Sequence, residues 1–399
     1  MNKKTNKKNE GNKALTSQDQ LNSFLKQNKD SHYNFENTIY YKVPSGSMTL
    51  DYYLGGGLCT GLHRFIGMNE GGKTSCALQF MKNFLDAENE GRKGFLIKAE
   101  GRLSPEMIKR SGVKFVDNSE DWVEGTCFVF ETNIYESAVD AMRQLVGKNE
   151  EKNKYFFIID SVDGLLRRDD LDKSFEESQK VAGGAVVAGT FMKKCATALQ
   201  KFGHIAVFIS QVRDDIKLDP YSKAPVRQTT ATGGNALLHF ANWILQFEPR
   251  FKTDLILQDE KAAPDAQKNP YIGHEVKVTV KKSPNEKTNL VIKYPIKYGR
   301  TDGTSNWIEK EITNFIQGWG MVIKKGAWLS FEEDVVETAK KFGVDLSSQI
   351  QGLPKLEALI SENEDVKKFF IGYIKENVLA LLNDNPNGTS DDIREEEEV

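Results

Sequence analysis

A chain of 399 residues, 39% hydrophobic and 28% charged, is long enough for one large domain with smaller additions, or for two to three domains, and has the make-up of a soluble globular protein. No apolar run reaches the roughly 20 residues that a membrane-spanning helix needs, and the N-terminus MNKKTNKKNEGNK lacks the apolar centre of a signal peptide, so a cytoplasmic protein without membrane partners is expected. The net charge of -3 hides an uneven distribution: five lysines fall among the first thirteen residues, whereas from Asp384 onward there are seven acids and one arginine. Both ends read as solvated chain, and a basic arm with an acidic tail hints at a polyanion partner.

In chain order, ALTSQDQLNSFLKQN places Leu15, Leu21, Phe24 and Leu25 at the spacing of a short amphipathic helix. A polar linker leads from it to NTIYYKVPSGS, a strand. Neither has a core of its own, so both are expected to pack on a neighbouring subunit. From about Gly61 short apolar runs alternate with helical segments: LHRFIG, GFLIKAE, TCFVFET, YFFIIDS, HIAVFISQ and NWILQFE. Runs that are apolar on both faces and alternate with helices specify an α/β fold with a mostly parallel, twisted sheet covered on two sides. EVKVTVKK and NLVIKYPIKYG are close enough to form a hairpin that extends it. Beyond Gly318, KKGAWLSFEEDVVETAKKFGV and DVKKFFIGYIKENVLALL predict a small helical end domain. The expected divisions are 1–44 for the basic arm, helix and docking strand, 45–317 for the core, 318–383 for the end domain and 384–399 for the tail. The cysteines Cys59, Cys76, Cys127 and Cys195 are far apart, with no CxxC pair or histidine cluster, and read as reduced and mostly buried.

The motif GMNEGGKT, residues 67–74, fits G-x-x-x-x-G-K-[ST] between a strand and a helix, which is the context a phosphate-binding loop requires. Backbone N–H groups of Gly67, Met68, Asn69, Glu70, Gly71 and Gly72 curl around the phosphates, and the helix N-terminus that begins at Lys73, Thr74 and Ser75 adds its partial positive charge. Lys73 supplies a full charge to the β- and γ-phosphates, and the Thr74 hydroxyl is placed to bind Mg²⁺. Asp160, at the tip of the buried strand YFFIID, is the acidic partner on the metal side. Glu100 ends GFLIKAE at the same sheet edge, where it can orient or deprotonate an attacking water; the other reading is a surface glutamate at a strand end. Gln211 ends HIAVFISQ and can donate to the γ-phosphate, or act as a simple cap. ATP with Mg²⁺ is therefore the expected ligand.

These motifs, together with PSGSMTLDYYLGGG, KAEGRLSP, ISQVRDDI, TTATGGNALLHFAN and KKGAWLS, resemble the RecA family of DNA-strand-exchange recombinases and its phage relatives of the UvsX type, over residues from about Ser45 to Lys341. The resemblance implies a DNA-dependent ATPase that forms helical filaments on single-stranded DNA, with ATP at subunit interfaces, and exchanges strands with homologous duplex DNA. A single-strand-binding protein and a loading mediator are further implied partners. It matches Glu100 to the catalytic glutamate, Asp160 to the metal-side aspartate, and Gln211 to the residue that couples γ-phosphate to the DNA loops.

The first DNA loop then falls between Asp170 and Gly184 and the second between Val212 and Thr232. Arg213, Ile216, Gly233, Gly234, Asn235 and Lys193 match DNA contacts, and Lys217, Lys223, Arg227, Thr230 and Thr232 belong to the same DNA-binding set. Lys281 and Lys282 match lysines that complete the ATP site of the adjacent subunit, and Met107 stands where an aromatic ring covers the base. Lys98 replaces an acid usual two places before the catalytic glutamate, and Val186 replaces an arginine near the first loop. The second loop is also longer and more acidic than in the bacterial proteins, which fits a phage-type member acting in the host cytoplasm. Two rivals remain: a ring-forming motor or helicase on the same fold, and a DNA-binding scaffold that uses ATP only structurally.

Overall fold

The computed structural model describes residues 16–29, 37–88, 90–101, 103–171, 183–213, 230–231, 234–259 and 261–379. Helix α1 (Ser17–Gln27) starts at a reciprocal cap: Asp19 N–H donates to Thr16 Oγ1 (3.2 Å) and Thr16 N–H to Asp19 Oδ2 (3.1 Å). It buries none of its residues; Leu21 and Phe24 are 56% and 58% exposed. The segment after the linker is strand over a shorter stretch than expected. It makes contacts with its own chain: Ile39 N–H donates to Lys201 O (3.0 Å), Tyr41 Oη to Gly203 O (2.6 Å), and Lys201 Nζ to Thr38 Oγ1 (2.8 Å). The carbonyls left free where a helix ends attract this stretch, and only β1 (Lys42–Val43) is a strand, paired with β2 (Leu58–Cys59) across α2 (Met48–Tyr53).

The core then runs β3 (Gly61–Gly67), α3 (Lys73–Leu85), β4 (Arg92–Lys98), α4 (Pro105–Ser111), β5 (Phe115–Val116), β6 (Cys127–Glu131), α5 (Tyr135–Gly147) and β7 (Lys154–Asp160). It continues through α6 (Arg168–Leu171), α7 (Gly183–Lys201), β8 (Ile205–Arg213), β9 (Thr230–Ala231), α8 (Gly234–Phe240), β10 (Trp243–Phe247), β11 (Leu255–Leu257), β12 (Tyr271–Lys282) and β13 (Val291–Lys297). The sheet order is β11-β12-β10-β3-β8-β7-β4-β6-β5, parallel from β10 to β5. Strand β12 joins antiparallel, and its hairpin with β13 forms where the alternating pattern placed it.

Burial explains the unbroken apolar runs. In β7, Phe156 and Ile158 face a cluster with Phe80, Met81 and Phe84 of α3, whereas Phe157 and Ile159 face a second cluster with Met142 of α5 and Phe191 of α7. Each such side chain, fully removed from water, contributes roughly 1.5–3 kcal/mol. All four cysteines are buried and free.

The C-terminal region comprises α9 (Ile308–Gly318), β14 (Val322–Lys325), β15 (Trp328–Phe331), α10 (Glu333–Lys341), β16 (Ile350–Gln351), α11 (Gly352–Glu362) and α12 (Glu364–Ile374). KKGAWLSF is thus not helical: it turns at Gly326 (φ +62°) and pairs β14 with β15, so the end region is mixed rather than purely helical. Its core, with Leu329, Phe331, Phe369 and Phe370, also takes in Ile312 and Ile316 of α9 and Met48 of α2. Among the described residues no helix is long and apolar enough to cross a membrane.

Candidate nucleotide site and its link to the loops

Strand β3 delivers the phosphate loop to the edge where the parallel strands end. A side chain at Gly67 is excluded, since a Cβ would lie 2.2 Å from Phe247 O on β10, and its φ of +144° is one that L-residues avoid. Gly72, at φ +98°, turns the chain into α3. Lys73 is buried and folds back over the loop, its Nζ donating to Gly67 O (2.9 Å) and Met68 O (2.6 Å). Burial pulls its pKa down, against the opposing pull of Asp160, Asp163 and Glu100. Met68, Asn69, Glu70 and Ser75 are exposed, and Arg110 of α4 donates to Ser75 Oγ (3.1 Å).

Asp160 ends β7 across from Lys98, its register partner on β4. Asp160 Oδ2 accepts from Thr74 Oγ1 (3.2 Å) and from Lys98 Nζ (2.8 Å). One residue on, Ser161 Oγ donates to Glu100 Oε1 (2.9 Å), and Glu100 Cγ occupies the space where a Cβ at Gly164 would come within 2.3 Å. The same turn carries Asp163, whose Oδ2 accepts from the Gln211 backbone N–H (2.6 Å). Lys73, Thr74, Glu100, Asp160 and Gln211 all line one cavity of about 560 Å³, the size of a small-molecule site. Met107, Asn306, Tyr294 and His274 line it as well. Burial brings the His274 pKa down to about 4, so the ring is neutral near pH 7. Glycine-permitted backbone curvature, a buried lysine, and a hydroxyl beside a carboxylate together fit a nucleoside triphosphate with a divalent cation.

The two strand-end lysines lie elsewhere. In the register β12-β10-β3, Lys282 pairs with Ile244 and Ile244 with Arg64, whereas Gly67 aligns with Phe247 and Val278. Lys282 therefore sits toward the far end of the strands from its own phosphate loop, and its Nζ donates to Leu238 O (2.9 Å) and His239 O (2.7 Å) at the end of α8. Lys281 beside it is exposed.

Of the DNA-binding set, Lys193 is exposed on α7. Val212 and Arg213 extend β8 and pair with Ala231 and Thr230 of β9, so the two ends of the second loop are joined as a ladder that continues directly from Gln211. Gly234 and Asn235 open α8. Ile216, Lys217, Lys223, Arg227, Thr232 and Gly233 lie outside the described residues, as does the first loop from 172 to 182.

Sequence reasoning missed Ser161, Asp163, Arg110 and His274. The first two had a signal, their place in the turn directly after Asp160; the others reach the cavity only through packing of distant elements.

A model of the RecA N-terminal domain matches residues 25–298. Three curated relatives, each called Protein RecA, are similar along most of their length. That of Acidothermus cellulolyticus is 28% identical over 325 residues, 77% of this chain and 81% of the relative. That of Nostoc punctiforme is 25% identical over 358 residues (90% and 86%), and that of Chlorobium limicola 27% over 308 residues (75% and 77%). The matched span takes in the phosphate loop, Glu100, Asp160, Gln211 and the β8–β9 ladder, and the chain belongs to the RecA family.

Proposed function

We propose that this protein is an ATP-dependent recombinase that polymerises on single-stranded DNA and pairs it with a homologous duplex, coupled to ATP hydrolysis. The observation that carries this reading is the continuity from cavity to loop: Gln211 lines the cavity, its backbone is held by Asp163, and the next two residues form the ladder that closes the second loop. A group that feels the γ-phosphate is thereby joined covalently to the segment that grips DNA, an arrangement suited to an order-to-disorder switch.

In this reading the phosphate loop binds the triphosphate, and Lys73 leaves the carbonyls of Gly67 and Met68 for the β- and γ-phosphates. Thr74 and Asp160 would hold Mg²⁺, which when bound supplies positive charge to the phosphate oxygens. Glu100 orients and deprotonates the attacking water, the Ser161 hydroxyl fixing the direction of its carboxylate. Met107 covers one face of the base. Lys281 and Lys282, remote from the phosphate loop of their own chain, act on the adjacent subunit's ATP. Lys193, Arg213 and the second loop with Gly234 and Asn235 contact mainly the DNA backbone, so binding is sequence-tolerant and salt-sensitive. The uncovered Leu21 and Phe24 of α1 dock on a neighbouring protomer.

The test is ATP turnover by the full chain with and without single-stranded DNA, alongside joint-molecule formation with homologous duplex. Stimulation by DNA and nucleotide-dependent pairing are expected. Turnover indifferent to DNA, with no pairing, would overturn the reading.

A further inference from the structure

Lys98 is used by none of these roles, yet its ammonium is bound to Asp160, a residue that lines the cavity. Its side chain and that of Asp160 are each only 11% exposed, and the 2.8 Å contact is made to the same carboxylate oxygen that receives the Thr74 hydroxyl. The pairing is built into the sheet, because Lys98 and Asp160 are register partners on adjacent strands. A cation held this way is not a surface pair of negligible worth. It is poorly screened by solvent, and the strands that carry the two residues are joined beside it by Ala99 N–H donating to Asp160 O (2.9 Å).

We propose that Lys98 is the resident counter-ion of Asp160, which a divalent cation must displace, so that this lysine sets the metal concentration at which nucleotide binds. The inference rests on reading the cavity as a metal-nucleotide site. An ammonium and a divalent cation seek the same carboxylate and repel each other at close range. Lys73, which feels the charge of Asp160, adds a second positive charge to the site. In the empty site Lys98 keeps Asp160 paired and aimed at Thr74. When the metal enters, the lysine gives up the carboxylate, and its charge remains as a penalty on metal binding. Lys98 is therefore a positioning residue that tunes metal dependence rather than a group acting on the phosphates.

The experiment is equilibrium binding of a fluorescent ADP analogue to the full chain over a series of free Mg²⁺ concentrations, for the wild type, Lys98→Met and Lys98→Arg. Removing the charge is expected to lower the Mg²⁺ midpoint about tenfold or more, given unit charges a few ångströms apart in a partly buried site. Lys98→Arg, which keeps the charge, stays within about twofold of the wild type. In an Asp160→Asn background the Lys98→Met shift shrinks, as expected of coupled neighbours. Should Lys98→Met not fold, Lys98→Gln reads the same quantity. An unchanged or raised midpoint in the neutral variants overturns the inference. So does an unchanged midpoint with weakened metal-free nucleotide binding, which would assign Lys98 to the phosphates. A wild type that binds no nucleotide at any Mg²⁺ concentration overturns the nucleotide reading and this inference together, whereas normal binding with an unmoved midpoint removes this inference alone.

Discussion

Asp160 and the pair Asp51 and Glu311 are all buried carboxyls, satisfied by different partners. Asp160, which lines the cavity, is held by an ammonium and a hydroxyl. Asp51 accepts from Ser45 N–H (2.6 Å), and Glu311 accepts from Ser47 Oγ (2.5 Å) and Met48 N–H (2.9 Å). Around the latter pair burial outweighs these neutral donors and pushes both carboxyls up to about 7. One centre, in the proposed reading, exchanges its ammonium for a ligand cation. The other fastens the PSGS segment and α2 to α9, and through α9 to the C-terminal core. Function and architecture thus use the same residue type, and the partner decides which.

The largest effect is expected at Glu100, on the cavity side. Glu100→Gln should cut DNA-stimulated ATP turnover by about 10²-fold or more, with the thermal unfolding midpoint nearly unchanged. At the architectural centre the expectation reverses: Glu311→Ala leaves the Ser47 and Met48 donors without their buried acceptor and should cost about 2–3 kcal/mol in urea unfolding, while turnover per folded molecule holds. Gly164→Ala sharpens the contrast, because its methyl would sit 2.3 Å from Glu100 Cγ and must push that carboxylate aside. If Glu100 acts as proposed, a turnover loss of about tenfold with little loss of stability is expected, as displacing a catalytic group by an ångström is costly.

The smallest effect is on pH dependence. Asp51 and Glu311 have folded values raised to about 7, so the stability they contribute is complete below their unfolded range and is lost as pH rises through 7. His63 and His204, buried and lowered to about 4, act oppositely: their contribution is complete above about 6.5 and is lost as pH falls toward 4. Urea unfolding should therefore show stability declining from pH 6.5 to 8.5, and Glu311→Gln should flatten that decline. A decline of equal slope in the variant would remove Glu311 from its cause.

What the sequence showed and hid follows from the range of the interactions. The parallel sheet was legible because YFFIID and its counterparts are apolar on both faces, and the phosphate loop because its glycines, lysine and threonine are contiguous. Glu100, Asp160 and Gln211 could be placed because strand ends fall at one edge of such a sheet. The Lys98–Asp160 pair was not, since it depends on the register of strands 62 residues apart. Neither was the Lys282 contact with the end of α8, which requires knowing that β12 runs beside β10. KKGAWLSF was misread because each strand of its hairpin spans only four residues and the helical pattern of EEDVVETAKK follows at once. TIYYKV forms a strand only at Lys42–Val43, and no feature of the segment reveals the carbonyls of Lys201 and Gly203 that it meets.

Electron microscopy of the full chain with single-stranded DNA and a slowly hydrolysed ATP analogue tests the joining of cavity to DNA grip most directly. Helical filaments that require nucleotide and lengthen with the DNA are the predicted result; closed rings, or unassembled protein under conditions where nucleotide is bound, would contradict it.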